Sequence, residues 1–341
     1  MSKTAKEKIL VTGAGGYIGS VATYLLLQKG YSVVALDNFI TGYKQPLELL
    51  QAKFGQDKLK IYELDLNKNL DQLFEQEKDI QAVLHYAAHC LVDESMKQPA
   101  KYFQNNVGGS SNLLAHLVKH NIKNLVFSST CAVYGEAQYV PVDEKHPTMP
   151  ENPYGESKRM VEAMLQWHAK LGQLNCVILR YFNVCGASDD SLIGDSKRPS
   201  VLLVQNAVRG ALGLEPFYLT CPKVDTPDQT PIRDYINVVD LNEAHIKALE
   251  YLFNKGKSTV INLGTGKGNS VLEIISQVEQ QTGKTLAKQF SKHPRSGEYA
   301  KMIADITKAK TVLGWAPQRD LKNSVNTLLN WYQKQPQGWQ H

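Results

Sequence analysis

A glycine-rich turn near the start of the chain constrains the possible fold more than any other stretch. An apolar, strand-like run over 8–12 stops at the evenly spaced glycines Gly13, Gly16 and Gly19. A helical apolar pattern follows, and then a second β-branched run that ends at Asp37, 18 residues after Gly19. Strand, glycine turn, helix, strand and acid, in this order, are typical of the first βαβ unit of a dinucleotide-binding fold.

The same alternation continues through the first half of the chain. Further strand-like runs lie at 58–62, 82–85, 125–129 and 176–181, and helical patterns separate them. Repeated β-α-β units predict an α/β protein with a doubly wound parallel sheet and right-handed crossovers. In such Rossmann sheets the ligand lies at the carboxyl ends of the strands.

The pattern loosens after Asn183, which indicates a second domain. We predict an NAD-binding Rossmann domain over 1–183, with returning segments near 235–263. Residues 184–234 and 264–341 are predicted to form a smaller C-terminal α/β substrate-binding domain. Ser270 with Glu273 favours a helix capping box over a phosphate loop.

The first domain carries the candidate cofactor site. Backbone N–H groups of the glycine turn can face a pyrophosphate at a helix N-terminus. Asp37 can accept hydrogen bonds from both adenosine ribose hydroxyls and would repel a 2′-phosphate, which favours NAD over NADP. Asp65, after the third strand, is interpreted either as an adenine contact or as an ordinary turn residue.

Tyr154 and Lys158 are the candidate catalytic pair. Pro153 suits the first turn of a helix, so residues four apart after it lie on one helix face. An ammonium beside a phenol favours the phenolate and lowers a pKa otherwise near ~10, which would suit a general base. Most pairs at this spacing are only surface neighbours. Ser128, Ser129 and Thr130 close the preceding strand, and a hydroxyl there could share the substrate oxygen, although such residues usually only satisfy the backbone.

Composition excludes several other classes of protein. Among 341 residues, 43% are hydrophobic and 21% charged, and the net charge of +5 is dispersed, which argues against a nucleic-acid partner. The five cysteines are irregularly spaced, without a Cys-x-x-Cys pair, and we find neither a targeting segment nor a membrane span. We therefore expect a soluble cytoplasmic protein. His85, His89 and Cys90 lack metal-ligand spacing, so we expect no metal.

Together, the glycine turn, Thr130 and Tyr154-x-x-x-Lys158 resemble the extended short-chain dehydrogenase/reductase family. Several further segments are similar to its UDP-glucose 4-epimerase branch over nearly the whole chain. They are Tyr17-Ile18-Gly19-Ser20, Leu36-Asp37-Asn38, Asn105-Asn106-Val107, Val133-Tyr134-Gly135, Asn152-Pro153-Tyr154-Gly155, Leu179-Arg180-Tyr181-Phe182-Asn183, Ile232-Arg233-Asp234-Tyr235-Ile236 and Asn262-Leu263-Gly264.

This resemblance implies an isomerase that interconverts UDP-glucose and UDP-galactose through a transient 4-keto sugar. Tyr154 would take the 4-hydroxyl proton while a tightly held NAD⁺ takes the C4 hydride and later returns it. Thr130 would position the 4-oxygen, and Lys158 would bind the nicotinamide ribose. Cofactor contacts are implied at Gly13, Gly16, Tyr17, Ile18, Gly19, Asp37, Asn38, Asp65, Leu66, Tyr86, Ala87, Asn105, Lys158 and Phe182. UDP-sugar contacts are implied at Thr130, Tyr154, Asn183, Arg233, Arg295, Glu298 and Met302; for the two arginines a structural ion pair is the alternative.

Departures from the family pattern refine this expectation. Related sugar dehydratases carry an Asp-Glu pair where this chain has Cys131 and Ala132, which disfavours elimination of water. Cys90 stands in a stretch where some epimerases place a lysine, so cofactor retention could differ. Methionine at 302 leaves tolerance for an N-acetylated sugar open.

Two alternatives to the UDP-glucose reading stay open. One is a 4-epimerase of a UDP-N-acetylhexosamine or a UDP-pentose. The other is a non-catalytic NAD-binding protein, against which the intact catalytic residues argue. By family analogy we also expect a homodimer that forms through the helices at 99–118 and 154–171.

Overall fold

A seven-stranded parallel sheet forms the centre of the molecule. The computed structural model describes residues 6–286, 288 and 299–340. The strands of the sheet are β1 (Lys8–Thr12), β2 (Ser32–Asp37), β3 (Leu59–Glu63), β4 (Ile80–His85), β5 (Asn124–Ser128), β6 (Asn175–Tyr181) and β10 (Thr259–Leu263). Their spatial order is β10-β6-β5-β4-β1-β2-β3, and every pair is parallel. The order reverses between β1 and β4, as in a doubly wound sheet.

Helices cover both faces of this sheet. In chain order they are α1 (Tyr17–Gln28), α2 (Gln45–Phe54), α3 (Asp71–Gln76), α4 (Val92–Lys97), α5 (Pro99–Tyr102), α6 (Gly109–Lys119) and α7 (Pro153–Lys170). Successive strand residues point to opposite faces. Ile9 and Val11 therefore pack in the core beneath α1, whereas Leu10 packs in the core beneath α6 and α7.

A smaller unit follows β6. Its helices are α8 (Leu203–Ala211), α9 (Val238–Phe253), α10 (Val271–Thr282), α11 (Thr307–Leu313) and α12 (Leu321–Lys334). Its short strands are β7 (Asn183–Cys185), β8 (Ile232–Arg233), β9 (Tyr235–Asn237), β11 (Asn269–Ser270) and β12 (Lys301–Met302). α8, α10 and α12 enclose a separate apolar core that includes Val208, Ile275 and Leu328. α9 and α11 instead pack with α1 on the main sheet.

The predicted doubly wound fold with a smaller C-terminal unit is confirmed, and so is the Ser270–Glu273 capping box. Two details differ from the sequence-based expectation. Residues 235–237 pair with β7 in a two-stranded sheet. Within 235–263, α9 packs on the main sheet and β10 joins it as an edge strand. The helix expected over 99–118 contains a π-helical segment at Phe103–Gly108. Within the described residues, no helix combines the length and apolarity that crossing a membrane requires.

Candidate active site

A cleft of about 630 Å³ lies at the carboxyl ends of the central strands, between the sheet and the smaller unit. It is lined by every sequence-predicted site residue within the described chain. From the first domain these are Gly13, Gly16, Tyr17, Ile18, Gly19, Asp37, Asn38, Asp65, Leu66, Tyr86, Ala87, Asn105, Thr130, Tyr154, Lys158 and Phe182. Asn183, Arg233 and Met302 line its other wall. Arg295 and Glu298 lie outside the described residues.

The glycine turn brings the chain unusually close to itself. Gly13 has φ +71°, and a Cβ at Gly19 would lie 2.1 Å from the Gly13 carbonyl oxygen, so neither position accepts a side chain without strain. Gly16, the residue before α1, provides no side-chain cap, and the first turn of the helix holds no acidic residue. Its free N–H groups are therefore available to an anion.

Asp37 fits the adenosine end of a dinucleotide. Its carboxylate accepts N–H bonds from Gly15 at 2.9 Å and Phe39 at 2.8 Å, which fix it beside the turn. Burial raises the pKa of Asp37. Each carboxylate oxygen has a second lone pair, so ribose hydroxyls can still donate to it. The turn and this acid together fit NAD, which is the group that the sequence predicts.

Helix α7 presents Tyr154 and Lys158 to the cleft from its first two turns. Asn152 caps the helix, since its side-chain oxygen accepts the Gly155 N–H at 2.8 Å, and Pro153 occupies the first helical position. Tyr154 is 8% exposed and Lys158 is 3% exposed. Both polar groups are thus held on one face of the helix and are largely shielded from solvent.

Lys158 is a buried cation that is fixed by the sheet. Its Nζ donates to the Ser128 carbonyl oxygen at 2.8 Å and lies 4.7 Å from the centre of the Phe127 ring. Burial lowers the pKa of Lys158 to about 8, because the charged form loses hydration. At neutral pH the lysine still carries its charge.

The pKa of Tyr154 differs from the sequence-based expectation. Burial raises it well above its usual value near 10, whereas proximity to Lys158 was expected to lower it. Loss of hydration dominates, and the Lys158 ammonium is directed at the Ser128 carbonyl. The Thr130 side chain acts in the opposite direction on the pKa of Tyr154. Both side chains line the same cleft.

Thr130 stands at the end of β5 with an extended backbone. Its Oγ1 accepts the Ala132 N–H at 3.1 Å, which leaves the hydroxyl proton free to point elsewhere. Burial raises the pKa of Cys131 to about 12, so this thiol stays protonated at neutral pH. Neither Cys131 nor Ala132 can supply the proton transfers that elimination of water requires.

An ion pair that sequence reasoning missed lies beneath these residues. Arg180 on β6 donates twice to Glu162 on α7, at 2.6 and 3.0 Å, and both side chains are buried. Ser129 Oγ donates to the same carboxylate at 2.5 Å. Glu162 is one turn beyond Lys158, so this pair ties the catalytic helix to the two strands below it. In the sequence, the only indication of this role is that Glu162 follows Lys158 by four residues and therefore lies on the same face of the helix.

Two further polar residues, which the sequence analysis did not identify as functional, support the walls of the cleft through hydrogen bonds. Asn106, buried in the π-helical segment, binds the backbone of His89 at 2.8 and 3.0 Å and donates to Ser157 Oγ at 2.9 Å. Asp234 accepts the N–H groups of Thr265 at 2.7 Å and Gly266 at 2.9 Å. Asn106 holds the loop around His89 against α7. The hydrogen bonds of Asp234 fix the chain next to Arg233. Neither role leaves a local pattern in the sequence.

The buried histidines have structural partners. His85 lies between Thr12 Oγ1 at 2.7 Å and Ser110 Oγ at 2.9 Å, and burial lowers its pKa to about 3. His245 contacts Ser128 Oγ at 2.8 Å, and burial lowers its pKa to about 4. Among the described residues, no group of three His, Cys, Asp or Glu side chains could hold a metal ion.

Comparison with known proteins agrees with this geometry. Residues 9–264 match the NAD dependent epimerase/dehydratase family. The UDP-glucose 4-epimerase of Lacticaseibacillus casei is 40% identical over 336 residues, which cover 97% of this chain and 98% of that protein. The Bifidobacterium longum UDP-glucose 4-epimerase, solved with NAD⁺ and UDP, is 34% identical with TM-score 0.91, covering 97% of this chain and 100% of that one. A Stenotrophomonas maltophila relative with bound NAD and formylated UDP-arabinopyranose also has TM-score 0.91, at 34% identity and 97% and 99% coverage.

Proposed function

This chain belongs to the NAD-dependent epimerase/dehydratase family, and we propose that it is an isomerase that interconverts UDP-glucose and UDP-galactose by inverting C4. The observation that carries this proposal is the arrangement of Thr130, Tyr154 and Lys158 at one end of the cleft. A non-catalytic NAD-binding protein would not need a buried tyrosine, a buried threonine hydroxyl and a buried lysine on the wall of one cleft.

The residues of the chain divide the chemistry as follows. Tyr154 accepts the proton of the sugar 4-hydroxyl. It returns this proton after the 4-keto sugar has rotated to present its opposite face. Thr130, which lines the same cleft as Tyr154, holds the same sugar oxygen. Lys158 keeps a positive charge on this side of the cleft, which opposes the effect of burial on the phenol. Because positions 131 and 132 hold a protonated thiol and an alanine, elimination of water from the 4-keto sugar is disfavoured.

NAD⁺, when bound, supplies a reversible hydride acceptor for C4. Its diphosphate would lie at the glycine turn, where Gly13 and Gly19 allow close approach of the backbone. Asp37 would bind the adenosine ribose, with Asn38, Asp65 and Leu66 nearby at the same end of the cleft. At the other end, Lys158 would bind the nicotinamide ribose, with Tyr86, Ala87, Asn105 and Phe182 around it.

Asn183 and Arg233, on the opposite wall, would hold the UDP moiety. Arg233 lies next to Asp234, which is itself fixed by the 264–266 turn. A guanidinium can bind phosphate through two parallel hydrogen bonds, which suits a diphosphate. Arg295 and Glu298 are proposed as further UDP contacts from the resemblance alone.

The size of the accepted sugar is proposed to depend on Met302. Its side chain is buried between Tyr134, Phe182 and Ile306 while it also lines the cleft. Methionine is flexible, and its displacement would enlarge the sugar pocket. A UDP-N-acetylhexosamine is therefore one alternative substrate. A UDP-pentose, which is smaller than a hexose and needs no such displacement, is the other.

Turnover of UDP-galactose by the purified protein, without an added reductant, tests the proposal. We expect conversion to UDP-glucose, resolved by chromatography, and loss of conversion in the Tyr154→Phe variant. UDP-N-acetylgalactosamine is assayed in parallel, and conversion of both substrates would mean that Met302 leaves room for the acetamide. No conversion of either substrate with NAD⁺ supplied would contradict the hexose assignment.

We also propose a homodimer in the cytoplasm. The outer surfaces of α6 and α7 expose Val118, Met160, Trp167 and Leu171, and Trp167 and Leu171 are 60% and 65% exposed. Adjacent apolar side chains on two helices favour a helix-to-helix interface with a second copy. All five cysteines are free thiols, which suits a reducing compartment.

A further inference from the structure

Lys197 is a charged residue of the cleft for which the proposed reaction has no role. It belongs to the loop between β7 and α8, and it lines the cleft with Cys90, which comes from the loop after β4. Lys197 Nζ donates to Cys90 Sγ at 3.4 Å. The contact therefore bridges the cleft from the smaller unit to the Rossmann domain.

The loop that carries Lys197 is anchored against the glycine turn. Tyr43 donates its backbone N–H to the Gly15 carbonyl at 2.8 Å and its hydroxyl to the Ser196 carbonyl at 3.1 Å. The Trp339 N–H donates to Ser196 Oγ at 3.0 Å from the other side. Lys197 thus extends from the neighbourhood of Gly15 toward Cys90.

The ammonium of Lys197 lacks an anionic partner in contact. Among the described residues, the Cys90 sulfur is its only hydrogen-bond acceptor, and no carboxylate lies within ion-pair distance. A thiol is a weak acceptor, and a partly buried cation is stabilised when an anion lies beside it. Cys90 and, at longer range, Asp195 raise the pKa of Lys197 despite burial, so the amine stays charged.

We propose that Lys197 binds the diphosphate of the NAD cofactor from the smaller unit, opposite the N-terminus of α1. This inference rests on the proposed function, because it assumes that NAD occupies the cleft. The stretch between the glycine turn and Cys90 is where the dinucleotide must run to reach Lys158.

The position favours the dinucleotide over the UDP-sugar as the anion. Cys90, which contacts Lys197, and Tyr43, which contacts the preceding Ser196, both belong to the Rossmann domain, whereas the candidate UDP contacts Asn183 and Arg233 lie on other elements. Lys197 would therefore determine how long NAD stays bound, and it would do so without taking part in proton transfer.

Release of cofactor from the intact holoenzyme tests this directly. Protein loaded with NADH is mixed with excess NAD⁺, and the loss of bound-NADH fluorescence gives the release rate. A charge-assisted hydrogen bond of ordinary strength predicts release about tenfold to hundredfold faster in Lys197→Met. Lys197→Arg should restore slow release, and Lys44→Met is the matched control, because Lys44 is a half-exposed lysine outside the cleft.

Competition by fragments identifies the anion. ADP should bind more weakly to Lys197→Met than to the unmodified protein, while UDP should bind equally to both. Weakened UDP with unchanged ADP would assign Lys197 to the substrate, and unchanged NADH release would exclude the role altogether; either result overturns the proposal. A protein that binds no NADH before mutation would instead contradict the cofactor itself.

Discussion

At the scale of single residues, the site depends on hydroxyl and charged groups whose pKa values are shifted by burial. Tyr154 is harder to deprotonate than a free tyrosine, and Lys158 loses its proton more readily than a free lysine. Both effects have the same cause, which is loss of hydration. Groups that surround the phenol therefore decide whether it can act as a base near neutral pH.

The hydroxyl of Thr130 is one such group. We expect Thr130→Val, which keeps the shape but removes the hydroxyl, to lower kcat by about tenfold to a hundredfold, since one hydrogen bond to the reacting oxygen is lost. Thr130→Ser keeps the hydroxyl and should retain activity within a fewfold of the unmodified enzyme. Steady-state turnover of UDP-galactose measures both variants. Retained activity in Thr130→Val together with a loss in Thr130→Ser would show that packing of the methyl group, rather than the hydroxyl, is what matters.

His85 and His245 give the stability of the protein a pH dependence. Their folded-state pKa values of about 3 and about 4 lie below the ordinary value of 6.5, so between pH 4 and 6.5 the unfolded chain binds more protons. Their contribution to stability is present above about pH 6.5 and is lost as the pH falls. From pH 7 to 5 each should lower the free energy of unfolding by about 2 kcal/mol.

Urea unfolding at pH 5 and pH 7 measures this difference. The variant His245→Gln retains hydrogen-bonding groups but cannot titrate. We expect the pH dependence of its free energy of unfolding to be smaller by the contribution of one histidine. An undiminished pH dependence in this variant would mean that His245 makes no contribution to it.

At the scale of elements, the Glu162–Arg180 pair connects α7 to β6, and through Ser129 to β5. The glycine turn, the strand pattern and the Tyr154 helix are predictable from sequence because each is a local pattern of spacing. This ion pair is not, because Glu162 and Arg180 meet only after the sheet has formed. The three-residue strands β7 and β9 are missed for a related reason, since they are too short to show a periodicity.

Breaking this pair should cost far more than breaking a surface pair. Glu162→Gln leaves Arg180 buried without a counter-charge, and we expect it to lower the free energy of unfolding by about 3–5 kcal/mol. The matched control is Glu156→Gln on the same helix, whose partner Arg159 is half-exposed; its cost should stay below about 1 kcal/mol. Urea denaturation compares the two variants. Similar costs would indicate that Arg180 finds other partners, such as Tyr134.

At the scale of the whole molecule, the apolar surface of α6 and α7 predicts a dimer. We expect Trp167→Glu to shift the protein toward the monomer, since a charge would be buried at the interface. Ile40→Glu changes an equally exposed apolar residue elsewhere and should leave the dimer intact. Sedimentation or light scattering over a range of concentrations distinguishes the states. A concentration-independent monomer of the unmodified protein would contradict the proposed interface.

The main sheet is completed by a strand from late in the chain, and this shapes how the protein can be made. β10 pairs with β6 at the sheet edge, and α9 covers the same face as α1. A nascent chain that has emerged only as far as residue 183 therefore has an unpaired edge strand and an uncovered apolar face. The N-terminal half is thus unsuited to fold as an autonomous unit during synthesis, and it must be protected from aggregation until residues 238–263 have left the ribosome.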